Sequence, residues 1–278
     1  MSTNPLSNFF RQPAIHLKLP SKGKFWPDNS LDLPVTGEIP IYPMTTRDEI
    51  TLRTPDALLN GSGVVELIHS CCPNIVDAWS MPSIDVDAVI IAVRIASYGH
   101  AMDFDNTCPH CRESNTHSID LTTILDNLRT PDFQTPLQHN SLTFKLRPQS
   151  YFSLNETNRQ NFEEQQLLRN TIETASDEEK LRIFNDQLER IYRLSIKLVA
   201  DCTDCIITPD GIKVTDPAHI TEFYERAESR LVNLVRDHIS TIVKDSAIPD
   251  IAVACSSCEK DYTINLTFDY ASFFGKGF

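Results

Sequence analysis

Hydrophobic and polar residues alternate near the N-terminus of this 278-residue chain. Ile15, Leu17 and Leu19 are separated by single polar residues, which predicts a short strand. The segment GEIPIYPM predicts a second extended piece, and the preceding SKGKFWPDN is typical of a turn-rich loop. Residues 14–44 are therefore predicted to form a small β-rich part, which follows a flexible N-terminal arm over residues 1–13.

A helical period replaces the alternation after this β-rich part. Thr54 as N-cap, Pro55 as the first helical residue and Gly61 as a stop predict one short helix, and GVVELIHSCC predicts a second. The segment SIDVDAVIIAVRIASYG predicts the clearest helix of this half, with Ser83 as N-cap and Gly99 just beyond its end. Its apolar face is predicted to consist of Val86, Ile90, Val93 and Ala96.

The second half of the chain mixes strand and helix patterns. THSIDLTTIL predicts a strand that runs into a short helix, LTFKLRP predicts a strand, and CIITPDGIKV predicts a hairpin around its PDG turn. Two helices are predicted to begin at capping boxes, one formed by Ser153 and Glu156 and the other by Ser176 and Glu179. A last long helix is predicted over residues 216–243.

The second of the capping-box helices carries apolar residues at alternating spacings of three and four. Such a seam packs either against the chain's own helices or against another chain, and most helical stability comes from burying a face of this kind. The sequence leaves both alternatives open. The seam consists of Leu181, Phe184, Leu188, Ile191, Ser195 and Leu198.

Composition and charge narrow the classes of function. The chain has 38 acidic against 25 basic residues and a formal net charge of -13, which opposes binding to a phosphate backbone. No P-loop, G-x-S-x-G or H-E-x-x-H motif occurs, so we expect no enzymatic activity and no small-molecule substrate. No apolar run of about 18 residues and no signal-peptide pattern is present, so we expect no membrane insertion and a place in the cytosol.

Two C-x-x-C pairs carry the candidate chemistry. Cys108 and Cys111 lie in CPHC, and Cys255 and Cys258 lie in CSSC. A C-x-x-C turn presents two thiolates on one loop, and a tetrahedral Zn²⁺ site needs two such turns. Each pair precedes a few polar residues and then alternating apolar positions, so each is predicted to be a zinc knuckle followed by a strand. Four thiolates leave no coordination position for a catalytic water, so the predicted Zn²⁺ is structural.

The distance between the two pairs predicts a split zinc ribbon. Residues 112–254 would be a mostly helical insertion whose ends the metal holds together. The predicted organisation is an arm over 1–13, a β-rich part with helices and the first knuckle over 14–111, the insertion, and the second knuckle with a C-terminal strand over 255–278. The predicted fold class is α+β, mostly helical, with a small β-rich N-terminal part and a split zinc ribbon.

The remaining cysteines have less specific patterns. Cys202 and Cys205 form a third pair, CTDC, but no polar knuckle residues follow it, so partly buried free thiols are the favoured interpretation over a metal pair or a redox pair. Cys71 and Cys72 end an apolar helix and are predicted to be core residues. Two histidines near the first knuckle are expected to stay outside the metal site, namely His110 and His117.

Aromatic residues near both chain ends allow two interpretations. Phe273 and Phe274 are either part of the ribbon's own core or anchors for a partner, because large apolar side chains are usually buried and aromatic residues dominate interface hot spots. Phe9 and Phe10, ahead of the first strand, carry the same ambiguity.

An ordered series of segments resembles the T4-type bacteriophage baseplate protein family, the group that contains a tail baseplate hub subunit. The segments are LPSKGKFW, GEIPIYPMTTRDEITLRTPDALLNG, SCCP, AVRIASYG leading to CPHC, DGIKVTDPAHITEF and CSSCEKDYTINLTFDYASFF, over roughly residues 15–275. The resemblance implies a non-enzymatic role in building the baseplate of a contractile tail, with other baseplate and tail hub proteins as partners.

The location implied by the resemblance is the host cytoplasm during assembly or the tail baseplate of the finished virion. An alternative from another class is a zinc-ribbon protein that binds nucleic acid. Charge distinguishes the two, because the residues that flank the knuckles have mixed signs and form no basic stripe. The flanking residues are Arg112, Glu113, Glu259, Lys260 and Asp261.

Overall fold

The computed structural model divides the chain into two compact units. The first unit comprises Met1–Ala78, Ile84–Thr130 and Ser246–Phe278, and the second comprises Trp79–Ser83 and Pro131–Asp245. The larger segment of the second unit, Pro131–Asp245, lies within the 112–254 range predicted as an insertion, whereas Trp79–Ser83 lies outside it. The structure describes residues 5–6, 9–54, 61–172, 177–246, 248, 250–264 and 273–274.

Helices and short strands follow one another along the chain. The first half contains β1 (Ile15–Leu17), β2 (Ile39–Ile41), α1 (Thr46–Leu52), α2 (Ser62–Cys71), α3 (Ser83–Tyr98), β3 (Ala101–Thr107), β4 (Ser114–Asp120) and α4 (Leu121–Asn127). The second half contains β5 (Leu137–His139), β6 (Leu142–Leu146), α5 (Tyr151–Ile172), α6 (Asp177–Asp201), β7 (Thr203–Ile207), β8 (Lys213–Val214), α7 (Pro217–Arg226), α8 (Ser229–Ser246), β9 (Ile251–Ala254) and β10 (Asp261–Ile264).

The described strands form small antiparallel sheets. Three sheets are two-stranded and pair β1 with β2, β3 with β4 and β9 with β10, whereas the fourth has the order β5-β6-β7-β8. The first three sheets belong to the first unit and the fourth to the second unit. The prediction of a mixed α+β protein is confirmed.

Helix α3 forms the centre of the first unit. Residues 88–95 are buried without interruption, and because this run exceeds two turns of helix, every side of the helix is covered. The sequence predicted a single apolar face, so the extent of burial was underestimated. The helix ends as predicted, since Gly99 follows it with φ +87° and donates its N–H to the carbonyl of Ile95 at 2.9 Å.

A buried carboxylate on α3 holds the SKGKFW loop. Asp85 Oδ1 accepts the N–H of Ser21 at 2.7 Å, and Oδ2 accepts the Ser21 hydroxyl at 2.5 Å and the Trp26 indole N–H at 2.9 Å. Gly23 in this loop has φ +75°, and a Cβ atom there would lie 2.7 Å from Leu33 Cδ2. Burial raises the pKa of Asp85 to about 6, although the hydrogen bonds favour its charged form.

A buried arginine on the same helix holds the C-terminal segment. Arg94 Nη1 donates to the carbonyl oxygen of Phe273 at 2.6 Å, and its guanidinium lies 5.2 Å from the Phe273 ring centroid and 5.3 Å from that of Tyr98. Phe273 and Phe274 are buried, so these two aromatic residues belong to the core of the first unit. Arg94 Nε has no hydrogen-bond partner in the described chain.

The N-terminal aromatic residues remain on the surface. Arg11 is anchored, since Nη1 donates to the carbonyl of Pro43 at 2.7 Å and Nη2 donates to that of Ser70 at 2.6 Å. Phe9 and Phe10 precede this anchor and are 83% and 57% exposed. The chain thus becomes fixed at Arg11, within the arm predicted over residues 1–13.

The second unit packs α6 and α7 around its four-stranded sheet. Phe144 on β6 is fully buried and stacks on Tyr224 of α7 with ring centroids 6.4 Å apart. The Tyr224 hydroxyl lies 2.9 Å from Thr203 Oγ1, so its polar end is satisfied inside the core. The predicted strand LTFKLRP and the predicted PDG hairpin are confirmed as β6 and as β7 with β8.

Several helix boundaries differ from the predictions. The single helix predicted over 216–243 is wrong, because Ala227 adopts an extended backbone with ψ 158° and separates α7 from α8. Helix α5 begins at Tyr151, and the Ser150 hydroxyl accepts the N–H of Ser153 at 3.2 Å, so the cap lies three residues before the predicted Ser153. The predicted helix over 55–60 and the predicted cap Ser176 lie outside the described residues.

The sequence interpretation also missed helix α1 and two strands. Helix α1 begins at a capping box, in which Thr45 accepts the N–H of Asp48 at 3.4 Å and the Asp48 carboxylate accepts the N–H of Thr45 at 2.7 Å. Strands β3 and β9 precede the two cysteine pairs, where the sequence placed only a helix end and a linker. None of the described helices combines the length and the apolar character needed to cross a bilayer.

We predict that Asp85→Ala lowers the free energy of unfolding by about 3 kcal/mol, because two buried donors of Ser21 and the half-buried Trp26 N–H lose their acceptor. Chemical denaturation of the purified chain measures this loss. Asp126→Ala is the control, since Asp126 is an exposed carboxylate on α4 of the same unit, and it should change stability by no more than about 0.5 kcal/mol. Equal stability of the two variants would contradict the role given to Asp85.

Candidate metal centre

The two C-x-x-C pairs occupy the tips of two β-hairpins. Strands β3 and β4 pair in register from Ala101 with Asp120 to Thr107 with Ser114, and the turn between them contains CPHC. Strands β9 and β10 pair in the same antiparallel way around CSSC. The predicted strand after each knuckle is confirmed, and a preceding strand makes each knuckle a hairpin turn.

Backbone hydrogen bonds fold the first turn into a knuckle. The N–H of Cys108 donates to the carbonyl of Glu113 at 2.9 Å, and the N–H of Arg112 donates to the carbonyl of Cys108 at 2.9 Å. These two bonds keep the six residues between the strands in a tight loop, so that both thiols of the pair face the same side.

The second turn has the same backbone geometry. The N–H of Cys255 donates to the carbonyl of Lys260 at 3.0 Å, and the N–H of Glu259 donates to the carbonyl of Cys255 at 3.0 Å. The residue after each pair adopts the left-handed conformation, with φ 64° at Arg112 and φ 57° at Glu259. The likeness inferred from the sequences of the two pairs therefore extends to their backbones.

The fold brings all four thiols together. The Sγ atoms of Cys108, Cys111, Cys255 and Cys258 lie within 4.8 Å of one another. Cys108 Sγ is 3.8 Å from Cys258 Sγ, and Cys111 Sγ is 3.6 Å from Cys255 Sγ. A tetrahedron of sulfur atoms around Zn²⁺ with bonds of about 2.3 Å has edges of about 3.8 Å. The four thiols could therefore hold a metal ion.

A buried asparagine joins the two knuckles. Asn115 is 3% exposed, and its Nδ2 donates to Cys255 Sγ at 3.5 Å and to the carbonyl of Glu113 at 3.0 Å. Its Oδ1 accepts the backbone N–H of Ser256 at 2.9 Å and the Ser256 hydroxyl at 2.7 Å. Asn115 thus uses donor and acceptor groups to fix one hairpin tip against the other. The sequence analysis missed it, since an asparagine in a polar run carries no distinguishing signal.

A second polar contact joins the hairpins farther from the tips. The Tyr262 hydroxyl on β10 donates to Asn106 Oδ1 on β3 at 2.5 Å and lies 3.0 Å from His117 Nε2 on β4. His117 therefore pairs with Tyr262, and among the described residues the group that could hold a metal consists of the four cysteines. His110 is exposed in the first knuckle and is not part of that group.

The second knuckle favours an ionised thiol. The backbone N–H groups of Cys258 and Ser257 point at Cys255 Sγ and lower the pKa of Cys255 to about 6, against the effect of burial. Metal ions bind thiolates, so hydrogen-bond donors arranged around the sulfur prepare this side chain for coordination.

The third cysteine pair lies apart from the cluster. Cys202 and Cys205 are buried free thiols, and burial raises the pKa of Cys202 to about 12. Cys71 and Cys72 are also fully buried, as the sequence predicted. A buried thiol with a raised pKa is a poor nucleophile and a poor metal ligand. These four residues therefore act as small core side chains.

We predict that Cys108→Ser and Cys255→Ser each lose the bound metal and unfold at a lower temperature than the wild-type chain. Each change removes one of four thiolate ligands from the site. Elemental analysis of purified protein and thermal unfolding test this. The control Cys202→Ser should keep one metal ion per chain, and metal retained in full by either ligand variant would exclude the four-cysteine site.

We predict that Asn115→Ala binds the metal about 10- to 100-fold more weakly than the wild type, because hydrogen bonds to the ligating sulfur and between the knuckles orient the thiolates. Competition with a chromogenic chelator measures the affinity. Asn127→Ala, an exposed position on α4, should leave the affinity unchanged. An unaltered affinity in Asn115→Ala would mean that the backbone alone arranges the site.

Comparison with known proteins identifies the family. The sequence matches the family described as T4 bacteriophage base plate protein over residues 12–275, nearly the whole chain. Neither the curated proteins nor the solved structures give a significant match. Because a single family match spans both knuckles and the region between them, the chain belongs to the T4 bacteriophage base plate protein family, a group of phage tail structural components.

Proposed function

We propose that this protein is a non-enzymatic structural or assembly component of the baseplate hub of a contractile-tailed bacteriophage, and that one structural Zn²⁺ stabilises it. The family match over residues 12–275 is the observation that carries this proposal. The partners are other baseplate and tail hub proteins, which the chain meets in the host cytoplasm during assembly and in the tail baseplate.

The donor set supports zinc as the metal. Four cysteine sulfurs within 4.8 Å of one another match the ligand set that structural Zn²⁺ prefers. With Cys108, Cys111, Cys255 and Cys258 all bound, the ion has no free position for a water or a substrate. The site would therefore contribute folding energy and no chemistry.

The position of the cluster in the chain explains what such an ion would do. The chain leaves the first unit after Thr130 and returns to it at Ser246, while both knuckles belong to this unit. A metal link between Cys111 and Cys255 closes a loop of about 140 residues, which removes roughly 5 kcal/mol of unfolded-chain entropy by the polymer estimate used for cross-links. The ion would hold the returning C-terminal hairpin in place.

The alternatives raised by the sequence have less support. A redox role for Cys202 and Cys205 is disfavoured by their burial and by the raised pKa of Cys202. A nucleic-acid role for the ribbon is disfavoured by the mixed charges next to the knuckles and the formal charge of -13. A scaffold role requires neither a reactive thiol nor a basic surface.

We predict that phage lacking this gene assemble no complete baseplates, and that a plasmid copy of the wild-type gene restores them. A copy with Cys255→Ser should restore few, because loss of the metal destabilises the protein, whereas Cys202→Ser should restore the wild-type yield. Electron-microscopic counts of tails and the titre of infectious particles measure the outcome. Normal baseplates in the deletion strain would refute the proposed function.

A further inference from the structure

A groove in the second unit runs between helices α6 and α7. Its volume is about 530 Å³, and residues from both helices line it over their exposed sides. The α6 residues that line it extend from Glu189 to Asp201, which corresponds to about 18 Å of helix, or just over three turns. An elongated cleft between two helices has the shape that accepts a third helix.

The floor of the groove is apolar. Ile196 lies at its base and is 3% exposed, and Ala200 next to it has a side chain small enough for another backbone to approach closely. Tyr192 is 46% exposed, and its hydroxyl donates to the carbonyl of Glu225 at 3.4 Å, so its ring forms one end of the floor. A partner would gain contact with this apolar strip and would bury the Tyr192 ring.

The two walls of the groove differ in which of their charged groups lack a partner. On the α6 wall, Arg193 pairs with Glu189 and Lys197 makes no ion pair with any described residue. On the α7 wall, Glu225 is likewise without a cationic partner among the described residues. Asp201, at the end of the α6 wall, accepts the Ser153 hydroxyl. The charged groups of the groove that have neither an ion pair nor a side-chain hydrogen bond among the described residues are therefore Lys197 on α6 and Glu225 on α7.

We propose that this groove docks an amphipathic helix of another baseplate protein. The apolar stripe of the docked helix covers Ile196 and Ala200, its acidic flank faces Lys197, and its basic flank faces Glu225. The charge asymmetry of the walls fixes the direction in which the helix enters. This inference rests on the proposed function, since it names the contact through which the protein holds a partner.

Other occupants fit the groove less well. A nucleic-acid backbone would meet three carboxylates, because Glu189 and Asp201 lie on either side of the α6 cations and Glu225 lies on α7. An extended peptide gains most of its affinity from an open sheet edge, and helices form both walls here. Occupation of the groove by a second copy of this chain is a separate outcome of the test below.

The test is site-specific photocrosslinking during infection. Benzoyl-phenylalanine replaces Thr221, which lines the groove on α7, in a full-length gene copy that complements the deletion strain. We expect an adduct with another phage tail protein, and mass spectrometry should map the crosslink to an amphipathic helix with one acidic flank. An adduct between two copies of this chain, an adduct with nucleic acid, or no adduct would overturn the proposal.

A charge reversal on the wall gives a matched comparison. Lys197→Glu should lower the yield of the Thr221 adduct about fivefold at unchanged thermal stability, because an exposed attractive pair becomes a repulsive one. Lys213→Glu makes the same charge change on β8, outside the groove, and should leave the yield unaltered. Equal yields in the two variants would overturn the assigned charge pairing.

The outcomes separate this proposal from the function on which it rests. If deletion of the gene abolishes baseplates while the groove gives no adduct and Lys197→Glu supports normal assembly, the protein is a baseplate component that uses another surface. If deletion of the gene has no effect on tails, the proposed baseplate function is wrong, whatever crosslinks form.

Discussion

The convergence of four thiols from two hairpins is the interaction on which the first unit depends. Strands β3 and β4 carry one pair and β9 and β10 the other, and the segment Pro131–Asp245 of the second unit lies between them in the chain. A short two-stranded hairpin is marginally stable alone. Each hairpin therefore relies on the other, through Asn115, through Tyr262 and through the sulfur cluster.

Buried polar groups on α3 likewise hold together segments that are distant in the sequence elsewhere in this unit. Asp85 accepts hydrogen bonds from the SKGKFW loop, and Arg94 donates one to the C-terminal aromatic pair that begins at Phe273. Both groups are desolvated inside an otherwise apolar helix, which costs free energy that their hydrogen bonds must offset. This cost makes the packing specific, because each buried group is satisfied only by a segment that presents matching hydrogen-bond donors or acceptors.

The second unit is built differently. Its sheet and helices enclose an apolar core around Phe144 and Tyr224, and α6 continues past α7 into a turn in which residues 189–193 are all exposed. Five consecutive helical residues point in every direction around the axis, so the described residues cover this turn only in part, with Tyr192 reaching the Glu225 carbonyl of α7. A buried aromatic core beside a partly uncovered helix is compatible with the docking role proposed for this groove.

The sequence by itself determined the local features. The two C-x-x-C knuckles, the strand after each of them, the end of α3 at Gly99 and the PDG hairpin all follow from residues within a few positions of one another, because turns and caps are set by local backbone preferences. The family resemblance also rested on such short segments, and the match over residues 12–275 confirmed it. The predicted seam on α6 stays a prediction, since Ile191 is 58% exposed and the side chains of Leu181, Phe184 and Leu188 lie outside the described residues.

Only the tertiary structure decided which residues meet across the chain. Asn115 sits in a polar run and Tyr262 in a predicted strand, and their roles come from hairpins brought together over long sequence separations. The burial of α3 on all sides and the break at Ala227 likewise depend on packing against distant segments, which overrides local periodicity. Local propensity can specify a turn that presents two thiols, but the closeness of four thiols is a property of the folded unit.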